Sequence, residues 1–201
     1  MRRALLAAAL LLACHRDVAT DDSAAATASS TTASVIDVEA GPSLYALSPR
    51  LVDQDGHAIA LDVWRGHPVL VGMFYASCAS ACPLFVSTVR KLEDSLDAPT
   101  RSALRVLLVS FDPNDKPAVL SRLVAKHSID TTRWRLAAGS EDDVRDLAAA
   151  LGVKYRRLPD GNYNHSSPLI LLGPDGAMHS RVESIGDPTE GLADRLRALA
   201  R

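Results

Sequence analysis

Phe74-Tyr75-Ala76-Ser77-Cys78-Ala79-Ser80-Ala81-Cys82-Pro83 is the stretch on which the reading of this chain turns. An unbroken apolar run, Val69-Leu70-Val71-Gly72-Met73, leads into it and reads as a buried strand. Leu84 to Leu96, which follows, carries apolar residues at helical spacing. Two cysteines four residues apart therefore stand where a strand hands over to a helix. With the first helical turn starting near Cys78, both sulfurs lie on one face, about 6 Å apart along the axis. That spacing admits a strained disulfide, and it also admits two thiolates on one soft metal ion.

The junction itself bears on reactivity. A cysteine there feels the positive end of the helix dipole, which favours thiolate, and Cys78 stands nearer that end. Pro83 fits a first turn, where its missing N–H is not needed. A structural disulfide is the bland alternative, but a bridge closing so short a loop stabilises little. A redox dithiol of the usual kind has two intervening residues; here there are three, Ala79-Ser80-Ala81, which tilts the pair toward chelation without excluding thiol exchange.

Most metals need a third ligand. Of the six histidines, His15 lies in a polar N-terminal stretch, His57 and His67 flank turns, His127 ends a helix, and His179 is on a strand. His165 closes a long polar segment, Tyr155 to Asn164, just ahead of a strand at Pro168 to Leu172, and is the favoured third ligand. Two soft thiolates with one imidazole suit Cu(I), and can also hold Cu(II) or zinc.

Around this centre the chain of 201 residues reads as one domain with an extension. A net charge of −2 gives no general pull toward nucleic acid. Residues 1–13 read as a signal peptide: Arg2 and Arg3 precede an apolar run from Ala4 to Leu12 that is too short to span a bilayer. Leu11-Leu12-Ala13-Cys14 resembles a bacterial lipobox, with Cys14 as the lipidation site. Residues 14–40 then form a lipid-anchored tether rich in Ala, Ser, Thr and Asp, reaching at most about 95 Å when stretched. Export in this form puts the protein in a bacterial cell envelope, facing the periplasm or extracytoplasmic space, where disulfides persist.

Within residues 41–201, a hairpin turns at Asp53-Gln54-Asp55-Gly56. The Val69 strand and the cysteine helix come next, and Leu104 to Phe111 is a second apolar strand. Ala118 to His127 is a helix, Trp134 to Ala137 a short strand, and Ser140 caps a helix that ends at Gly152. A strand, a turn at Gly173 to Gly176, another strand and an amphipathic helix from Pro188 to Ala200 close the chain. Strands alternating with helices, then a terminal hairpin, argue for an α/β sandwich whose mixed central sheet is flanked by helices.

The segment from about Leu47 to Leu199 resembles the SCO/SenC family, thioredoxin-like copper-binding assembly factors of cytochrome c oxidase. The resemblance rests on Asp53-Gln54-Asp55-Gly56, on Phe74 to Pro83 with its three-residue gap, and on the Asp112-Pro113 turn. Trp134-Arg135-Leu136-Ala137-Ala138-Gly139 and His165, ten residues ahead of Asp175, extend it. It implies a thioredoxin-like fold with Cys78, Cys82 and His165 as copper ligands. It also implies a metallochaperone rather than an enzyme, with an oxidase subunit carrying a dinuclear copper centre, or its assembly factors, as partner. The family pattern has an acidic residue between the cysteines and another just before the histidine; small residues and Asn164 stand in those places here. The competing reading is a thiol–disulfide oxidoreductase acting through Cys78 and Cys82. A peroxiredoxin-like peroxidase would want Thr or Ser where Tyr75 stands, and a purely structural envelope module leaves the cysteine pair unexplained.

Overall fold

A computed structural model of the chain describes residues 35–37, 41–78, 81–187 and 189–200. Strand β1 is Ile36–Asp37, while β2 (Leu51–Asp53) and β3 (Ala58–Ile59) pair as the expected hairpin. The buried Asp53 holds the turn between them, its Oδ1 accepting the N–H groups of Asp55 and His57, each at 2.9 Å. Gly56 closes that turn with a φ of 85°, a region that side chains avoid. Strand β4 (Val69–Phe74) leads to helix α1 (Ala81–Asp94).

A short helix α2 (Ala98–Ala103) was not expected from the sequence. It is too brief to display a hydrophobic period, and its signals are a cap and a proline. Asp97 accepts from the Thr100 N–H at 2.9 Å, and Pro99 sits in the first turn. Strand β5 (Arg105–Ser110), helix α3 (Pro117–His127), strand β6 (Trp134–Gly139) and helix α4 (Glu141–Ala150) follow as read. After them come β7 (Tyr155–Arg157), β8 (Tyr163–His165), β9 (Leu169–Leu172), β10 (Met178–Val182) and α5 (Glu190–Leu199).

The main sheet has the order β1-β10-β9-β4-β5-β6-β2-β3, and β7 and β8 form a separate pair. β4, β5 and β6 run parallel, whereas β9 is antiparallel to β4 and β2 is antiparallel to β6, so the sheet is mixed as expected. Every residue of β4 is buried because both faces of the sheet are covered. Leu70 and Phe74 pack with Phe85 and Val89 of α1, Leu120 of α3 and Leu192 of α5. Val69, Val71 and Met73 pack on the other side with Val144 and Leu147 of α4. Gly72 lets α1 approach closely, since a Cβ there would stand 2.5 Å from the Phe85 ring.

The N-terminal boundary needs one correction. Ile36 and Asp37, placed in the 14–40 tether by composition, pair with Arg181 and Ser180 of β10. Asp37 also binds Arg195 of α5. Two residues are too short a run to show alternation, so composition masked a strand. The signal segment and Cys14 lie outside the described residues, among which no helix is long and apolar enough to cross a membrane.

Candidate metal centre

The cysteine loop is fixed from below by the turn after β5. The Ala76 N–H donates to Asp115 Oδ2 at 2.7 Å, and the Ser110 hydroxyl donates to the same oxygen at 2.5 Å. Asp115 is buried, and burial first of all raises its carboxyl above the usual range, although both hydrogen bonds oppose that rise. The Phe111 N–H donates to the Phe74 carbonyl at 2.9 Å, which locks the end of β4 to the end of β5. Beyond Ala76 the chain turns, and the Cys78 N–H reaches back to the Tyr75 carbonyl at 3.2 Å.

Cys78 carries no helical assignment and precedes α1, which is described from Ala81, whereas Cys82 lies within it. The two cysteines differ in exposure. Cys78 is half-buried, but Cys82 is only 1 % exposed and packs with Phe74, Phe85 and Val86. Residues 82, 85, 86 and 89 form the face that α1 presses on the sheet, and Cys82 is its first member. Burial, then the neighbouring Cys78, push the Cys82 thiol up to about 11.

His165 arrives from far along the chain. The long polar segment from Tyr155 to Asn164 forms, with His165, a hairpin in which Tyr155 stands opposite His165 and Arg157 opposite Tyr163. Pro159-Asp160-Gly161 supplies its turn, with Gly161 at a φ of 86°. Cys78 and His165 line one cavity of about 410 Å³, together with Tyr75, Leu84, Asn164 and Ile185. Cys82 is not among the residues that line it.

The imidazole is oriented by its neighbours. His165 Nδ1 lies 3.1 Å from the Ser166 carbonyl oxygen and 3.0 Å from the Ser167 hydroxyl. A carbonyl only accepts, so the contact selects the Nδ1–H tautomer and leaves the Nε2 lone pair available. Two aromatic rings flank the imidazole, with centroids at 5.0 Å for Phe111 and 5.6 Å for Tyr75. Phe111 stacks on Tyr155 at 4.8 Å, and Tyr75 lies 5.0 Å from Tyr163. Four of the chain's nine Phe, Tyr and Trp residues thus gather around one histidine. Burial, followed by a hydrogen bond with Cys78, raises the Tyr75 phenol above its ordinary value. The sequence signal for this cluster was the pair of tyrosines, Tyr155 and Tyr163, flanking a Pro-Asp-Gly turn at hairpin distance.

Among the described residues, Asp53, Asp55 and His57 are the group of three His, Cys or acidic side chains whose ligand atoms lie within 4.8 Å of one another. That group belongs to the hairpin turn, where Asp53 already accepts two N–H bonds and faces Arg135 at 3.6 Å. Cys78, Cys82 and His165 are therefore not drawn together as tightly. Of the other histidines, His57 is exposed at the turn, His127 ends α3, and His179 sits on β10 against Gly173.

A mixed sheet covered by helices on both faces, with a cysteine loop entering the first long helix and a histidine facing it, defines a thioredoxin-like protein with a thiol–imidazole site. Residues 41–201 match the SCO1/SenC family, and the chain belongs to that family. The SCO1 protein homolog of Bacillus subtilis is 27 % identical over 140 residues, spanning 67 % of this chain and 72 % of its own length. Bradyrhizobium japonicum ScoI, solved with copper bound, superposes with a TM-score of 0.64 at 21 % identity, covering 81 % of this chain and 99 % of that one. BsSco, described as a member of the Sco family of cytochrome c oxidase assembly proteins with a disulfide switch, gives a TM-score of 0.65 at 22 % identity. The match covers 83 % of this chain and 96 % of that one. The fold is the one these Sco proteins share.

Proposed function

We propose that this protein is a copper metallochaperone of the bacterial cell envelope. Cys78, Cys82 and His165 take up one copper ion, as Cu(I) or Cu(II), and surrender it by ligand exchange to the dinuclear copper centre of an oxidase subunit. An acyl group on Cys14 holds the protein at the membrane. The observation that carries this reading is the shared cavity of Cys78 and His165, with the Nδ1 contacts leaving His165 Nε2 available. The donor set is chemically apt: thiolate sulfur and imidazole together select soft or borderline metals. Cys82 begins as a thiol and must lose its proton on metal binding, so uptake releases protons and strengthens as pH rises. Copper-bound relatives support the choice of metal.

The test is a competition titration of the reduced full chain in mild detergent, with Cu(I) against a chelator. One copper per chain is expected, with capacity lost in Cys78→Ser and Cys82→Ser and weakened in His165→Ala. Binding unchanged by Cys78→Ser or His165→Ala would sink the ligand assignment.

A second reading draws on the asymmetry of the pair, a half-buried Cys78 ahead of a buried Cys82. Cys78 as thiolate attacks a client disulfide and forms a mixed disulfide, releasing one client thiol. Cys82 loses its proton and displaces the second, so the client gains two electrons and Cys78–Cys82 becomes the disulfide. His165 is dispensable in this chemistry and a metal ligand in the first, so an insulin-reduction assay on His165→Ala, read beside its weakened copper binding, separates the two.

A further inference from the structure

A second and larger cavity, about 560 Å³, lies beside the cysteine–histidine cavity, between α4 and β7. Phe111, Tyr155 and Tyr163 are among the residues that line it, and Tyr163 lines both cavities. Its charged rim is one-sided. Arg145, Lys154, Arg156 and Arg157 face it with Glu141 as the lone carboxylate. Arg145 is shared with acidic neighbours, 3.1 Å from Glu141 and 2.8 Å from Asp142. Lys154, Arg156 and Arg157 are exposed and take part in none of the ion pairs among the described residues. In a chain of net charge −2, three uncompensated cations on four consecutive residues are a local reversal of sign. Pairing within the hairpin sets Tyr155, in the middle of that run, directly opposite His165.

We propose that this groove docks an acidic polypeptide segment that carries an aromatic side chain. The ring enters over Phe111, Tyr155 and Tyr163, and the flanking carboxylates meet Lys154, Arg156 and Arg157. Aromatic floors with a cationic rim reward this combination, because the ring supplies buried contact while the charges steer and orient it. A lipid surface is a poorer fit, since a concave groove keeps the aromatic floor away from flat headgroups. A segment seated here lies beside His165, so the metal recipient is the natural bearer of it. That last step rests on the copper reading, whereas the groove and its occupant do not.

The probe is a fluorescein-labelled peptide with one central Trp flanked by Asp and Glu, bound to the full chain in mild detergent and followed by anisotropy. Binding is expected, weakened about 10-fold by Arg156→Glu with Arg157→Glu, and weakened again as salt rises from about 50 mM to about 300 mM. Ala149 is exposed on the rim, and Ala149→Trp is expected to weaken binding by filling the groove without changing its charge. Equal binding by the charge-reversed protein, or by Ala149→Trp, overturns the proposal. So does preference for phosphatidylglycerol vesicles over the peptide. Copper stoichiometry of the charge-reversed protein is read in parallel and is expected to stay unchanged. Loss of copper uptake in the parent protein would end the copper reading and leave the peptide result standing.

Discussion

The Ala76 backbone N–H donates to the buried carboxylate of Asp115 across 2.7 Å, which ties the approach to Cys78 to the turn that leaves β5. Removing that acceptor frees the loop and leaves the Ser110 O–H, which donates to the same oxygen, without its acceptor. Asp115→Ala is expected to lower unfolding free energy by about 1–3 kcal/mol. Asp115→Asn, which still presents an acceptor oxygen, is expected to recover much of it. Urea denaturation of the reduced protein checks both, and equal loss in the two variants would mean that charge rather than hydrogen bonding matters.

Cys82 and Cys78 should differ sharply toward alkylating reagents. Cys82 is 1 % exposed with its thiol pushed up to about 11, whereas Cys78 opens onto a cavity. In the metal-free native protein at pH 8, iodoacetamide is expected to modify Cys78 at least about tenfold faster than Cys82. The difference should vanish in urea. Peptide mass mapping over time gives both rates, and comparable native rates would contradict the buried placement.

The same shift gives a pH signature. The Cys82 thiol titrates ordinarily near 9 and in the fold near 11, so the folded state holds its proton more tightly. The stability this adds is fully present below pH 9 and is lost as pH rises through 11. The loss amounts to at most about 2–3 kcal/mol. Buried tyrosines, among them Tyr75 and Tyr163, are raised too and slope the same way. The difference between parent and Cys82→Ala across this window isolates the cysteine, and parallel curves would refute its share.

Strand β4 and most of the helices were legible because their signals are redundant. The unbroken Val69–Met73 run has no polar position to confuse it, and Ser140, with three acidic residues behind it, announces α4. What escaped was short or mixed in character. β1 and α2 offer two and six residues, too few for a period to emerge. The β7–β8 hairpin read as a polar loop because Arg156, Arg157 and Asn164 hide the two tyrosines that build the ring cluster. The family motif drew the cysteines and His165 together on paper. It could not show that Cys82 faces inward, since that depends on which side of α1 meets the sheet.

Gly72 tests the packing that sets that orientation. Its missing Cβ would lie 2.5 Å from the fully buried ring of Phe85, one turn beyond Cys82. Gly72→Ala is expected to destabilise by about 1–3 kcal/mol through overpacking. Because α1 must shift outward, Cys82 should also alkylate faster. Thermal unfolding and the alkylation rate should move together, and a neutral substitution would show that Phe85 yields without cost.

Ser167 and the Ser166 carbonyl set the His165 ring. Ser167→Ala is expected to keep copper stoichiometry while lowering affinity on the order of tenfold, because a partner that orients a ligand is lost. Chelator competition measures it, and unchanged affinity would show that the carbonyl contact suffices.

The most direct test of the copper account is X-ray absorption spectroscopy at the copper edge on the Cu(I)-loaded full chain, compared with His165→Ala. The account predicts one copper per chain with two sulfur scatterers and one imidazole, the imidazole signal vanishing in the variant. A sulfur-only shell, or an imidazole signal that survives His165→Ala, would contradict it.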